Sequence, residues 1–262
     1  MVTLKSKSGK WALYGDANAR IVVCGHSHAG SILFAKLHGY ESDSSHVDIS
    51  VAYTADLNQG APGDVEYWNF VADLSHGKHV FIAWNGNQHN VDFMFQTDPN
   101  FTMLGVADQS YDQESVPIPR AMIKSYFSPS FEELTGIIPS LSNAASITLM
   151  NGPAPKPLSH IQKCIVQEKY FTEIAESLGV VVDDLVVTSD SLRLGLWKLI
   201  SEMLESYAHS MGLRFLSTPI DSLDGSGLLQ EKYWVADTTH ANEAYGVLQM
   251  ERIIQSTEKA QR

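Results

Sequence analysis

Cysteine is scarce in this chain, with only Cys24 and Cys164 among 262 residues. Two cysteines without C-x-x-C spacing supply neither a disulfide framework nor a zinc ribbon, so two buried thiols in a reducing cytoplasm are expected. Positive charge is also short. Lys and Arg total 18 against 30 Asp and Glu, a formal net charge of -12, and no Lys/Arg block interrupts the chain. That excludes the basic surface that nucleic acid or an anionic membrane requires. No window holds the 18 or so consecutive apolar residues of a membrane span. No apolar stretch follows the N-terminal lysines, so a secretory leader is not expected. Glycine has no period, and hydrophobic residues at 44% with charged residues at 18% lie far from disordered composition. There is no internal repeat. A cytoplasmic globular chain is expected, with residues 1–262 forming one domain and neither nucleic acid nor membrane as partner.

What is present is an alternation of short β-branched runs with helical stretches. Strands are predicted at 20–24, 47–53, 78–84, 146–150 and 213–216. Helices are predicted at 28–38, 64–74, 129–141, 157–178, 190–211 and 241–255, and 97–119 reads as loop. Alternation of this kind predicts βαβ units and a flavodoxin-like three-layer α/β sandwich around a central, mostly parallel five-stranded sheet. Continuous apolar runs such as Ile21-Val22-Val23-Cys24 fit parallel strands buried on both faces. Ligands of such sheets sit at the carboxyl ends of the strands, which directs attention to the residues after Cys24, Tyr53, Trp84 and Met150.

Four clusters lie at or beyond strand ends. Gly25-His26-Ser27-His28-Ala29-Gly30 sets a serine between a strand and a helix, with its own N–H at the helix start. Asn58 to Asp64 is a glycine loop after the second strand. Asn85-Gly86-Asn87-Gln88-His89 follows the third. Asp237-Thr238-Thr239-His240 precedes the last helix, and an Asp three residues before a His can hold the imidazole Nδ1–H and leave Nε2 as a base.

Together the four clusters resemble the blocks of the SGNH (GDSL-like) hydrolase superfamily, in order, from Ile21 to Met250. The resemblance implies a serine ester hydrolase of carboxylesterase or deacetylase type. Ser27 matches the nucleophile, His240 the base and Asp237 its orienting carboxylate. The Ser27 and Gly63 N–H groups and the Asn87 amide match the oxyanion donors. No cofactor and no metal is implied, and the expected partner is a small-molecule ester or an acylated sugar. His26, His28 and His89 are candidate substrate contacts. His26, Asn85 and Gln88 depart from the family pattern at positions other than nucleophile, base or oxyanion donor.

Other readings start from the same residues. An O-acyltransferase acting on a sugar or other hydroxyl would use the same apparatus. A non-catalytic binding protein is suggested by the departures at His26 and Asn85. A metal-dependent phosphoesterase would take His26, His28, His89 and His240 as ligands, but the other blocks of that family are missing. Gly25 to Ala29 also resembles the nucleophile elbow of α/β-hydrolases. That fold needs several strands before its serine, and the residues before Ser27 leave room for one.

Overall fold

Ile21–Gly25 is the strand around which the molecule is arranged, and all five of its residues are buried. Side chains of alternate parity leave a strand on opposite faces. Ile21 and Val23 accordingly join one apolar cluster, and Val22 and Cys24 another. Each buried Val or Ile contributes roughly 1.5–3 kcal/mol, so a slip of one residue would misplace both sets and is strongly disfavoured.

The structure is a computed structural model that describes residues 2–5, 11–25, 27–38, 48–54, 65–84, 88–106 and 115–259. Its elements in chain order are β1 (Val2–Lys5), β2 (Trp11–Tyr14), β3 (Ile21–Gly25), α1 (Ala29–Leu37), β4 (Ile49–Thr54), α2 (Val65–Leu74), β5 (His79–Ala83) and the short α3 (Gln88–Val91). There follow β6 (Phe101–Met103), β7 (Val116–Ile118), α4 (Arg120–Phe127), α5 (Pro129–Ile137), β8 (Ser146–Met150), α6 (Leu158–Cys164), α7 (Lys169–Ser177), α8 (Asp190–Ser210), β9 (Arg214–Leu216) and α9 (Glu243–Lys259).

The main sheet has the order β1-β2-β4-β3-β5-β8-β9. The five predicted strands are all present and pair in parallel. Counted among themselves they run second, first, third, fourth, fifth, which is the flavodoxin-like order. The order reverses between β3 and β5, so the crevice of such a sheet opens beyond Gly25 and Ala83. One face is covered by α1 and α9, the other by α2, α5 and α8, giving three layers.

Several expectations need correction. Two further strands, β1 and β2, extend the sheet antiparallel beyond β4, so three strands rather than one precede Ser27. Each has only four residues, too short for its alternation to stand out. Ser27 still follows the first parallel strand. The region 97–119 contains the small parallel pair β6 and β7, and 120–127 is helical. The predicted helix 157–178 is two helices, α6 and α7, separated by a 3-10 turn and the extended residue Glu168. The predicted helix 129–141 is likewise α5 followed by a 3-10 turn.

Two glycines set the close approaches on which the site depends. Gly25 has φ +122°, and a Cβ there would lie 2.3 Å from the Ala83 carbonyl oxygen. Gly246 lies where α9 crosses α1, and its Cβ would lie 2.0 Å from the Ser31 carbonyl oxygen. Only hydrogen in place of a side chain allows either approach. No helix among the described residues is long and apolar enough to cross a membrane.

Candidate active site

Ser27 lies in the turn between β3 and α1, half-buried, and its carbonyl accepts the Gly30 N–H at 2.8 Å. The strand end before it is tied down by Tyr67 of α2. The Tyr67 hydroxyl accepts the Gly25 N–H at 2.8 Å and donates to the Ala52 carbonyl at 2.9 Å. One buried phenol thus fastens the ends of β3 and β4 together, and its burial pushes its own pKa well up.

Asp237 and His240 stand in the loop before α9. Spacing of three lets one carboxylate bond twice to the same residue. Asp237 Oδ1 accepts the His240 backbone N–H at 2.8 Å, and Asp237 Oδ2 meets His240 Nδ1 at 2.8 Å. Oδ1 also accepts the Thr239 N–H at 2.9 Å. The direction of the chain after His240 is fixed by Asn242. Its side-chain oxygen accepts the Ala244 and Tyr245 N–H groups and so caps α9, while its amide donates to the Lys232 and Trp234 carbonyls. With Nδ1 on the carboxylate, the ring presents Nε2. That atom is buried and has no hydrogen-bond partner among the described residues.

The sequence separates Ser27 from His240 widely, and the fold closes that distance. The ring of His28, next to Ser27, lies 5.7 Å from the ring of His240. A Cβ on Gly152, just beyond β8, would touch His28 Nε2 at 3.6 Å. The ends of β3 and β8 and the loop before α9 therefore meet. No hydrogen bond joins Ser27 to His240. Gly63, Asn87 and His26, and with them Asn85, lie outside the described residues. The backbone of His89 is in α3, and its side chain lies outside what is described. Among the described residues no group of three or more His, Cys, Asp or Glu side chains could hold a metal ion.

A second set of residues holds the loop from behind, and sequence reasoning missed it. The Lys156 side chain is 0% exposed. Its Nζ donates to the carbonyls of Val235 (2.9 Å) and Asp237 (2.7 Å) and to Asp237 Oδ1 (2.9 Å). Arg193 of α8, also fully buried, donates to the Lys156 carbonyl at 2.8 Å and pairs with Asp190. Glu168 accepts the Thr238 N–H at 2.7 Å and its hydroxyl at 3.2 Å. His160 Nε2 lies 3.1 Å from the Asp237 carbonyl. One signal pointed here. Lys156 sits between Pro155 and Pro157, six residues beyond the end of β8, a strand end of the kind that carries function in this fold.

The charges follow from this packing. Burial works to raise the Asp237 carboxyl, but the hydrogen bond and charge of His240 and those of Lys156 outweigh it and hold it well below the usual carboxylate range. Burial lowers the Lys156 ammonium, against the opposing pull of Asp237. Burial raises the Glu168 carboxyl, against its bonds from Thr238. Arg193 is pushed down to about 10 by burial, against the charge of Asp190. Cys24 and Cys164 are free and buried, and burial pushes both thiols up, which makes them poor nucleophiles.

No family model matches the chain, and no curated protein is significantly similar to it in sequence. Among solved structures, the chain is similar to a candidate acylhydrolase from Bacteroides fragilis, with 12% identity and a TM-score of 0.50 over 95% of this chain and 91% of the other. It is similar in the same way to a GDSL-like lipase from Bacteroides thetaiotaomicron, with 11% identity and a TM-score of 0.50 over 92% and 89% of the two chains. At this identity the likeness lies in the fold, a mixed α/β fold with a mostly parallel central sheet.

Proposed function

We propose that this chain is a serine ester hydrolase in which Ser27 is the nucleophile, His240 the general base and Asp237 its orienting carboxylate. One observation carries the reading. His240 is held by Asp237 through Nδ1, with Nε2 buried and unpartnered among the described residues, in a loop packed against the turn that bears Ser27. Imidazole held in that tautomer accepts a proton at Nε2.

In this reading Ser27 Oγ attacks the acyl carbonyl carbon as its proton passes to His240 Nε2. The oxyanion takes hydrogen bonds from the Ser27 N–H, the Gly63 N–H and the Asn87 amide, each such donor being worth about 3–4 kcal/mol in the transition state. The imidazolium then gives its proton to the leaving alkoxide as the C–O bond breaks. Water, deprotonated by the same imidazole, attacks the acyl-serine and releases the acid. Nucleophile and base need not touch in the free enzyme, since such contacts tighten when substrate binds. The net charge of -12 disfavours an anionic substrate and suits a neutral ester.

The test is hydrolysis of p-nitrophenyl acetate by the wild type and by Ser27→Ala. The reading predicts turnover by the wild type and a loss of at least about 10³-fold in kcat/KM for the variant, with an unchanged melting temperature. Equal activity of the two proteins would remove Ser27 from the mechanism.

A further inference from the structure

We infer that Lys156 is a positioning residue for the Asp237–His240 pair, a buried cation that holds the Asp237 carboxylate in place behind the imidazole and whose charge shapes the acid side of the pH–rate profile. The inference rests on the reading of Asp237 and His240 given above, and it names a residue which that reading does not use.

The geometry fixes the protonation state of Lys156. Its Nζ faces three acceptors, the Val235 carbonyl, the Asp237 carbonyl and Asp237 Oδ1, all within 2.7–2.9 Å. An ammonium has three N–H groups and satisfies all three. A neutral amine has two, and its lone pair would then face an oxygen. The side chain is therefore a cation, and with no exposed surface and every donor committed it cannot reach substrate. It acts through Asp237.

Two consequences follow. The first is mechanical. Lys156 bonds the backbone on both sides of Ala236 and the carboxylate of Asp237, so it fixes where the carboxylate stands relative to the ring of His240. Arg193, which donates to the Lys156 carbonyl and pairs with Asp190, anchors Lys156 in turn. The second is electrostatic. A carboxylate alone behind an imidazole stabilises imidazolium and delays its deprotonation to higher pH. Here one carboxylate oxygen is shared with a buried cation, and that cation opposes the imidazolium charge. Removing the Lys156 charge is therefore expected to move the acid limb of kcat/KM to higher pH.

Among the described residues, the other titratable groups around this cluster are Glu168, His160, Cys164 and His28. Glu168, before α7, faces Thr238. His160 and Cys164, on α6, lie 3.3 Å from each other, and His160 bonds the same two carbonyls as Lys156. His28, beside Ser27, faces the ring of His240 from the other side. Glu168 is the one carboxylic acid among these, and its hydrogen bonds go to Thr238 rather than to Asp237 or His240.

The experiment follows the ring of His240 by NMR as pH is varied, in the wild type, Lys156→Arg and Lys156→Gln, alongside kcat/KM for p-nitrophenyl acetate. Gln keeps two donors and removes the charge; Arg keeps the charge. For Lys156→Gln the midpoint of the His240 titration and the acid limb of kcat/KM are expected to rise together by about one pH unit. In Lys156→Arg both are expected to stay near the wild-type position, whatever the loss in rate. Glu168→Gln is expected to move them much less than Lys156→Gln does. A Lys156→Gln midpoint equal to the wild type, an Arg variant that shifts as far as the Gln variant, or a Glu168→Gln shift as large as that of Lys156→Gln would overturn the inference. Should the Gln variant fail to fold, the unmodified protein decides. The nitrogen signal of Lys156 must be that of a protected ammonium at pH 7, and a neutral amine there would contradict the proposal. The ring titration does not depend on turnover, so loss of the hydrolase reading through an active Ser27→Ala remains distinguishable from loss of this one.

Discussion

The turn that carries Ser27 is held by close backbone packing and one buried phenol, whereas the loop that carries Asp237 and His240 is held by side-chain charge. On the first side Gly25 lies against the Ala83 carbonyl, Gly246 lets α9 press on the Ser31 carbonyl, and Tyr67 ties Gly25 to Ala52. On the second side a buried cation, Lys156, bonds the loop three times, and Glu168 bonds it twice more. The place of Ser27 is a matter of chain geometry and tolerates no added atom. The place of His240 is set by a network of charged side chains. The two sides should therefore fail differently, the first by losing stability with its response to pH unchanged and the second by losing catalysis together with a stability that depends on pH.

The largest effect is expected from Asp237→Asn. The imidazole would lose its orienting acceptor and Lys156 its counter-charge, and a fall of about 10³–10⁴-fold in kcat is expected in ester hydrolysis assays. The pH dependence of stability follows from the low pKa of this carboxyl. A group held below its ordinary range contributes stability that is full above about pH 4 and is lost as the pH falls below it. Denaturant melts should therefore find the wild type more stable than the variant at neutral pH by about 3 kcal/mol, with the gap shrinking on acidification. A gap that does not change with pH would contradict the ionised state of Asp237.

Gly246→Ala probes the other side. Its Cβ would meet backbone atoms of Ser31 and Ile32 at 2.0–2.9 Å, so α9 must move away from α1. A loss of about 3 kcal/mol in thermal or denaturant melts is expected, with the activity curve keeping its wild-type shape against pH. An unchanged melting temperature would mean that the two helices are less tightly apposed than described. The smallest effect is expected from Tyr67→Phe, which leaves the Gly25 N–H and the Ala52 carbonyl without the phenol and should cost about 1–2 kcal/mol. If that variant instead lost catalysis without losing stability, the distinction between the two sides would not stand.

The same contrast explains what could be read in the sequence. The parallel strands were legible because they are short runs rich in β-branched and apolar residues, and Ile21 to Cys24 buries both faces. The Gly25-x-Ser27 turn and the Asp237-x-x-His240 loop were legible because their logic is local, a glycine before a serine and a carboxylate three residues before an imidazole. Strands β1 and β2 were not, since four residues each carry little periodicity. Of Lys156 only its place beyond the end of β8 was legible, not its role. It is separated from Asp237 by some eighty residues, and nothing in a lone lysine between two prolines states that it is buried or what it bonds. Networks built from single residues on different elements have no sequence spacing to recognise.

The central claim is that Ser27 is a nucleophile activated by His240. Its most direct test is labelling of the folded protein with a fluorophosphonate, with the adduct located by peptide mass spectrometry. The account predicts one adduct, on Ser27, and its disappearance in His240→Ala. A folded wild-type protein that takes no label, or takes it on another residue, would contradict it.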